Sequence, residues 1–193
     1  MEPRGRCPVR VIAGSLKGRR LKPPTWNGLR PTSDKLRETL FNIVAPRIVG
    51  ARVLDGYAGT GAVGIEALRR GAAAVTFVEQ DPRAQALIAQ NLAHCGVTEG
   101  YAIIRESVTC ALAGLRSDDA AFDLILLDPP YQEGDAQVTA ALLQADDLLA
   151  LGGFVVLEHA RRRTMPARIG RLDRARQVTS GDSILSFYEV KRQ

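Results

Sequence analysis

The chain has no apolar run that approaches the ~20 residues of a membrane-spanning helix, and its first residues lack the apolar core of a secretory signal. A soluble, cytoplasmic protein is the expectation. Its cysteines, Cys7, Cys95 and Cys110, are odd in number and have no CxxC spacing, which argues against a disulfide framework or a thiolate metal site. The two histidines, His94 and His159, stand apart from any ligand-spaced cluster, so no metal is expected. His94 suits a helix, and His159, directly after a predicted strand, is a candidate for lining a pocket. Internal repeats and low-complexity segments are missing as well. What is left is ordinary globular material: 193 residues, 46% hydrophobic and 24% charged, enough for one substantial domain with a small appendage. Nothing points to an obligate oligomer, and a monomer is expected.

Charge is present in plenty but unevenly placed. Residues 1–50 carry 11 Lys/Arg against 3 Asp/Glu, residues 51–160 carry 6 against 15, and residues 161–176 carry 7 against 1. Two basic ends around an acidic middle suit a polyanion held beside a catalytic body. The arginine-rich stretch 161–176 reads equally as a surface loop or as an RNA contact.

Residues 1–8 read as a flexible tail. Residues 9–13 read as a strand, 14–18 as a turn and 19–22 as the returning arm of a hairpin. After a Pro/Gly-rich loop, Thr32 or Ser33 can cap a helix whose apolar positions Leu36, Leu40, Phe41 and Val44 recur at helical spacing. This extension, 9–47, precedes a main domain at 48–193. There strands at 52–55, 74–79, 101–104, 122–127, 154–158 and 183–191 alternate with helices at 61–70, 82–95, 108–115 and 135–149. Such alternation predicts an α/β fold with a parallel sheet covered on both faces.

Between the first strand and the first helix of that domain lies Asp55-Gly56-Tyr57-Ala58-Gly59-Thr60-Gly61. Glycines there let the backbone approach a ligand closely. Glu79 follows Gly59 by 20 residues, near the ~20-residue spacing at which a carboxylate takes ribose hydroxyls. Asp55 would repel a pyrophosphate at the helix N-terminus, yet it suits the ammonium and sulfonium of S-adenosylmethionine. Its alternative role is to cap the turn through backbone amides.

The second motif, Asp128-Pro129-Pro130-Tyr131, ends the apolar strand 122–127 at the edge where open α/β sheets bind ligands. The Asp128 carboxylate and the Pro129 carbonyl can accept both hydrogens of an exocyclic base amine. That contact aims the nitrogen lone pair at a sulfonium methyl, so catalysis is chiefly positioning. Pro130 stiffens the loop, and Tyr131 offers a ring on which a flipped base stacks. A bare strand-ending turn is the alternative. Together the two motifs point to methyl transfer from S-adenosylmethionine to a nucleobase nitrogen.

The chain further resembles the bacterial 16S rRNA guanine-N2 methyltransferases of the RsmD family. The likeness runs through Arg10-Val11-Ile12-Ala13-Gly14, Lys17-Gly18-Arg19, Arg30-Pro31-Thr32, Arg37-Glu38-Thr39-Leu40-Phe41-Asn42-Ile43, Glu66-Ala67, Arg70-Gly71-Ala72, Val78-Glu79 and Gly181-Asp182, besides the two motifs above. It implies a Rossmann-like, seven-stranded class I methyltransferase fold with an N-terminal hairpin and helix extension. It also implies methylation of a guanine N2 amine in 16S rRNA of the small ribosomal subunit. By position, Asp55, Tyr57, Gly59, Gly61 and Glu79 would bind S-adenosylmethionine, and Asp128 to Tyr131 would hold the guanine. Arg10, Lys17, Arg19, Arg20, Arg30 and Arg37 would face RNA. Ser107 departs from the acidic residue common near the adenine, with Glu106 beside it as the substitute, and Lys35-Leu36 departs from Arg-Val. Asp-Pro-Pro-Tyr serves an adenine N6 amine equally well, so adenine methylation of DNA or RNA is the alternative. A nicotinamide-dependent oxidoreductase and a non-catalytic RNA-binding protein are the more distant ones.

Overall fold

The computed structural model describes residues 21–26 and 34–190. The expected tail, the hairpin strand at 9–13, residues 19 and 20 of its return arm, the caps Thr32 and Ser33, and Arg10, Lys17, Arg19, Arg20 and Arg30 lie outside the described residues. The elements run α1 Asp34–Val44, a 3-10 turn Ala45–Arg47, β1 Arg52–Gly56, α2 Ala62–Arg69, β2 Ala74–Val78, α3 Pro82–His94 and β3 Tyr101–Ile104. They continue with α4 Val108–Ser117, β4 Phe122–Leu127, α5 Asp135–Asp146, β5 Leu149–Ala160, β6 Arg168–Ile169, β7 Leu172–Ser180 and β8 Ser183–Val190.

The strands form one sheet in the order β3-β2-β1-β4-β5-β8-β7-β6. Strands β1 to β5 are parallel, and β8 inserts antiparallel between β5 and β7. Among the described residues seven strands are substantial, and the eighth, β6, is a two-residue edge piece.

Two cores follow from the period-2 alternation of buried strands. Leu124, Leu126, Phe154 and Val156 face α1, α2 and α3, whereas Ile125, Leu127, Val155 and Leu157 face α4 and α5. Helix α1 is built into the first core through Leu36, Leu40, Phe41 and Val44, each worth roughly 1.5–3 kcal/mol of apolar burial. Among the described residues no helix is long and apolar enough to cross a membrane.

Gly64 sets how closely α2 lies on the sheet. A Cβ there would stand 2.2 Å from Cε1 of Phe77 and 2.8 Å from Cγ1 of Val75. Both neighbours are fixed in the core, so Gly64→Ala should lower stability by about 1–3 kcal/mol, read as the urea midpoint at constant m. An unchanged midpoint would show that α2 can lift off without loss.

The sequence reading missed β7 and placed the start of β5 five residues late. Strand β7 has a register shift against β8 between Arg174 and Arg176, and a bulge of this kind breaks the side-chain alternation that identifies a strand. Its backbone ladder with β8 holds it in place of an apolar face. The arginines around it are partly tied down. Arg171 Nε donates to Asp146 Oδ2 at 3.1 Å, Arg174 Nη1 to the Met165 carbonyl at 2.7 Å, and Arg163 pairs with Asp135 at 3.1 Å.

Candidate active site

The carboxyl ends of β1, β2, β4 and β5 open into a cleft of about 1140 Å³. Gly56 pairs with Leu127 in the β1–β4 register, so both sequence motifs begin side by side where their strands stop. Among the residues lining the cleft are Tyr57, Gly59, Thr60, Glu79, Glu106 and Ser107 on one flank, and Asp128, Pro129, Pro130 and Tyr131 on the other. Small-molecule sites run to roughly 300–1,000 Å³, so this space suits more than one small ligand.

The turn after β1 is held by its own backbone and by two carboxylates. Ala58 N–H donates to the Val78 carbonyl at 3.0 Å and Gly61 N–H to the Ala58 carbonyl at 2.8 Å. Gly59 and Gly61 have φ of 57° and 75°, the left-handed region that glycine enters freely. Tyr57, at φ 66°, enters it without that freedom, a local strain held by its surroundings. Glu79 grips the turn: its Oε2 accepts from Gly59 N–H at 2.9 Å and its Oε1 from Asp81 N–H at 2.8 Å. A carboxylate has about four acceptor sites, so each oxygen keeps one for a ligand hydroxyl.

The loop after β4 is clamped from three sides. Tyr57 Oη donates to Glu133 Oε1 at 3.0 Å, and burial beside that carboxylate pushes the phenol pKa upward. Arg163 donates to the Glu133 carbonyl. Tyr131 Oη lies 2.9 Å from Ser183 Oγ, which donates to Glu158 Oε1 at 2.9 Å. Tyr131 stays 39% exposed and lines the cleft, open to a planar partner.

Residues 9–189 match the family model described as Conserved hypothetical protein 95. The chain is 34% identical over 185 residues to the ribosomal RNA small subunit methyltransferase D of Escherichia coli K12, covering 96% of this chain and 91% of that one. The chain belongs to the RsmD family. It is also 36% identical over 183 residues to YlbH of Bacillus subtilis, provisionally named an rRNA methyltransferase, covering 95% of this chain and 100% of that one. A solved hypothetical protein of Thermus thermophilus superposes with a TM-score of 0.81 at 30% identity, covering 94% of this chain and 99% of that one. The sheet order and the carboxyl-edge cleft are thus those of a class I, Rossmann-like methyltransferase.

Three positions in this RsmD-family chain differ from their expected surroundings. Arg37 is 0% exposed and does not face outward for RNA: its Nη2 lies 2.7 Å from Asp34 Oδ1. It sits on the apolar side of α1, where burial lowers the guanidinium pKa and the charges of Asp34 and Glu66 oppose that shift. Asp55, 4% exposed, is absent from the cleft wall; its Oδ2 accepts from Gly64 N–H at 2.8 Å and braces the turn from behind. Burial raises its pKa to about 7, against the opposing hydrogen bond and with a smaller push from Glu79. His159 is buried on the opposite face of β5 from Glu158, with Nε2 2.8 Å from Ser186 Oγ, and does not line the cleft. Ser107 both lines the cleft and caps α4, its Oγ accepting from Cys110 N–H at 3.4 Å.

Sequence reasoning overlooked Glu133, Glu158, Arg162 and Ser183 on the cleft wall, and Asn91 behind it. Asn91 is fully buried on α3; its Nδ2 donates to the Thr60 carbonyl at 3.0 Å and its Oδ1 accepts from Lys22 N–H at 2.8 Å. It therefore ties the glycine turn to the N-terminal segment. A polar residue between Ile88 and Leu92 on an apolar helix face was the available signal for Asn91. Glu158 had one too, a carboxylate at the end of an apolar strand.

Proposed function

We propose that this chain methylates the exocyclic N2 amine of a guanine in 16S rRNA of the small ribosomal subunit, with S-adenosylmethionine as the methyl donor. The observation that carries the reading is the meeting of the glycine turn and the Asp128–Tyr131 loop in one cleft. That cleft fits the donor: glycine backbone at 59 allows close approach, and the Glu79 oxygens have acceptor capacity left for ribose hydroxyls. When bound, S-adenosylmethionine supplies a methyl group activated by a sulfonium, whose S–C electron pair returns to sulfur.

The residues of the chain do the rest by placement. Gly59 and Glu79 hold the nucleoside end, and Glu106 and Ser107, on the same wall, take the adenine side. Asp128 accepts one amine hydrogen and the Pro129 carbonyl the other, which directs the nitrogen lone pair along the line of attack. As the N–C bond forms, the nitrogen sheds one proton, and the Asp128 carboxylate is the acceptor beside it. Pro130 limits the motion of the loop, and Tyr131 stacks on the base once it is turned out of its helix. The basic residues of segment 10–30, together with Arg162, which lines the cleft, draw in the phosphates.

The test is to incubate the protein with tritiated S-adenosylmethionine and unmodified small subunits, then to identify the labelled nucleoside. N2-methylguanosine is expected; N6-methyladenosine would keep the chemistry and overturn the base. Removing residues 1–20 spares Leu21, which is buried in the core, and Lys22, which bonds Asn91. That truncation should keep cofactor affinity and weaken subunit binding at least tenfold at near-physiological salt, with a shallower salt slope. Wild-type affinity for subunits would remove the segment from RNA recognition.

A further inference from the structure

Asp-Pro-Pro-Tyr grips an amine without choosing the base that carries it. The neighbouring strand holds a second carboxylate. Leu127 and Leu157 are register partners in β4 and β5, so Asp128, just past the end of β4, and Glu158, still within β5, are the next residues on two neighbouring chains, which lie ~4.8 Å apart where paired. Both line the cleft, although Glu158 is only 8% exposed.

The hydrogen bonds fix how Glu158 is used. Ser183 Oγ has one hydrogen and donates it to Glu158 Oε1, so the Tyr131 hydroxyl must donate to Ser183. In this relay Glu158 accepts at Oε1; burial raises the pKa of its carboxyl, and the Ser183 hydrogen bond opposes that shift. Among the described residues its second oxygen, Oε2, has no hydrogen-bond partner. Glu158 lines the cleft, so this oxygen is open to a donor on a bound ligand.

We infer that Glu158 reads the base: its free carboxylate oxygen accepts the N1–H of guanine while Asp128 holds the adjacent N2 amine. The inference rests on the guanine reading above. Guanine presents N1–H and N2–H side by side on its Watson–Crick edge. Adenine has a bare acceptor at N1 beside its amine, which would meet the Glu158 lone pairs head on. The pair Asp128 and Glu158 thus matches one purine and rejects the other. The relay also gives Glu158 a positioning effect on Tyr131, so the test must separate recognition from positioning.

Glu158→Gln keeps the shape and an acceptor for Ser183 but presents an amide donor. The substrates are small subunits reconstituted on rRNA that carries, at the nucleotide mapped in the first experiment, either guanine or 2-aminopurine. The analogue keeps the 2-amine and has no N1–H. Wild-type protein should favour guanine in kcat/KM by on the order of 100-fold or more. Glu158→Gln, with cofactor affinity retained, should bring the two within about tenfold, because its amide can donate to the bare N1. Ser183→Ala loosens Tyr131 but leaves the carboxylate, and should slow both substrates alike. Equal slowing of both by Glu158→Gln would overturn the inference and leave Glu158 as a support for Tyr131. So would a wild-type protein that does not discriminate. Should native subunits yield no N2-methylguanosine, the guanine reading itself falls first, and the inference with it.

Discussion

Asp128→Ala is expected to cut single-turnover methyl transfer by about 100- to 1,000-fold, the range seen when one preorganised polar contact to a reacting centre is removed. An exocyclic amine shares its lone pair with the ring and is a poor nucleophile until its hydrogens are held out of plane. With alanine, the Pro129 carbonyl alone would orient it, and the departing proton would lose its nearby carboxylate. Asp128→Asn should lie between, because its oxygen still accepts while the charge is gone. Cofactor affinity should stay near wild type in both, since the glycine turn and Glu79 are on the other flank of the cleft. Calorimetry of binding beside tritium transfer separates these effects. Near wild-type transfer by Asp128→Ala would sink the assignment.

Glu79→Gln is expected to weaken S-adenosylmethionine binding about 10- to 100-fold, the loss of charge-assisted hydrogen bonds of ~1.5–3 kcal/mol to ribose. Glu79 has a second duty that makes the choice of substitution matter. Its two oxygens accept from Gly59 and Asp81, so an amide turns one nitrogen donor against a backbone N–H. Thermal unfolding without cofactor should therefore also shift downward. Glu79→Ala should show the same two losses more strongly, because both backbone donors are then left without this acceptor. Lost stability with unchanged cofactor affinity would confine Glu79 to the turn and remove its ribose role.

Most elements were legible because each carries a local signal. Helix α3 has Pro82 at its start and an Asp81 cap that accepts from Arg83 N–H at 2.9 Å, and its buried face recurs at helical spacing. Strand β4 is apolar but for Asp123, as strands buried on both faces are, and two prolines after Asp128 mark its end. The glycine turn and the Asp128–Tyr131 loop were readable for the same reason: both are contiguous, and their chemistry lies in residue type and order.

Arg37 and the relay from Tyr131 to Glu158 had no such signal. A positive charge on a helix reads as an exposed one, and only the packing of α1 against the sheet, with Asp34 at one helical turn, puts Arg37 inside. Tyr131, Ser183 and Glu158 are far apart along the chain and meet because β8 inserts beside β5. Strand β7 escaped notice because backbone pairing, which residue type does not encode, holds it. The sequence alone determined the α/β alternation, the glycine turn and the Asp128–Tyr131 loop, since each is written in neighbouring residues. The tertiary structure decided which charges are buried and which carboxylates share the cleft. Those depend on strand order and desolvation, and both arise only when distant segments pack.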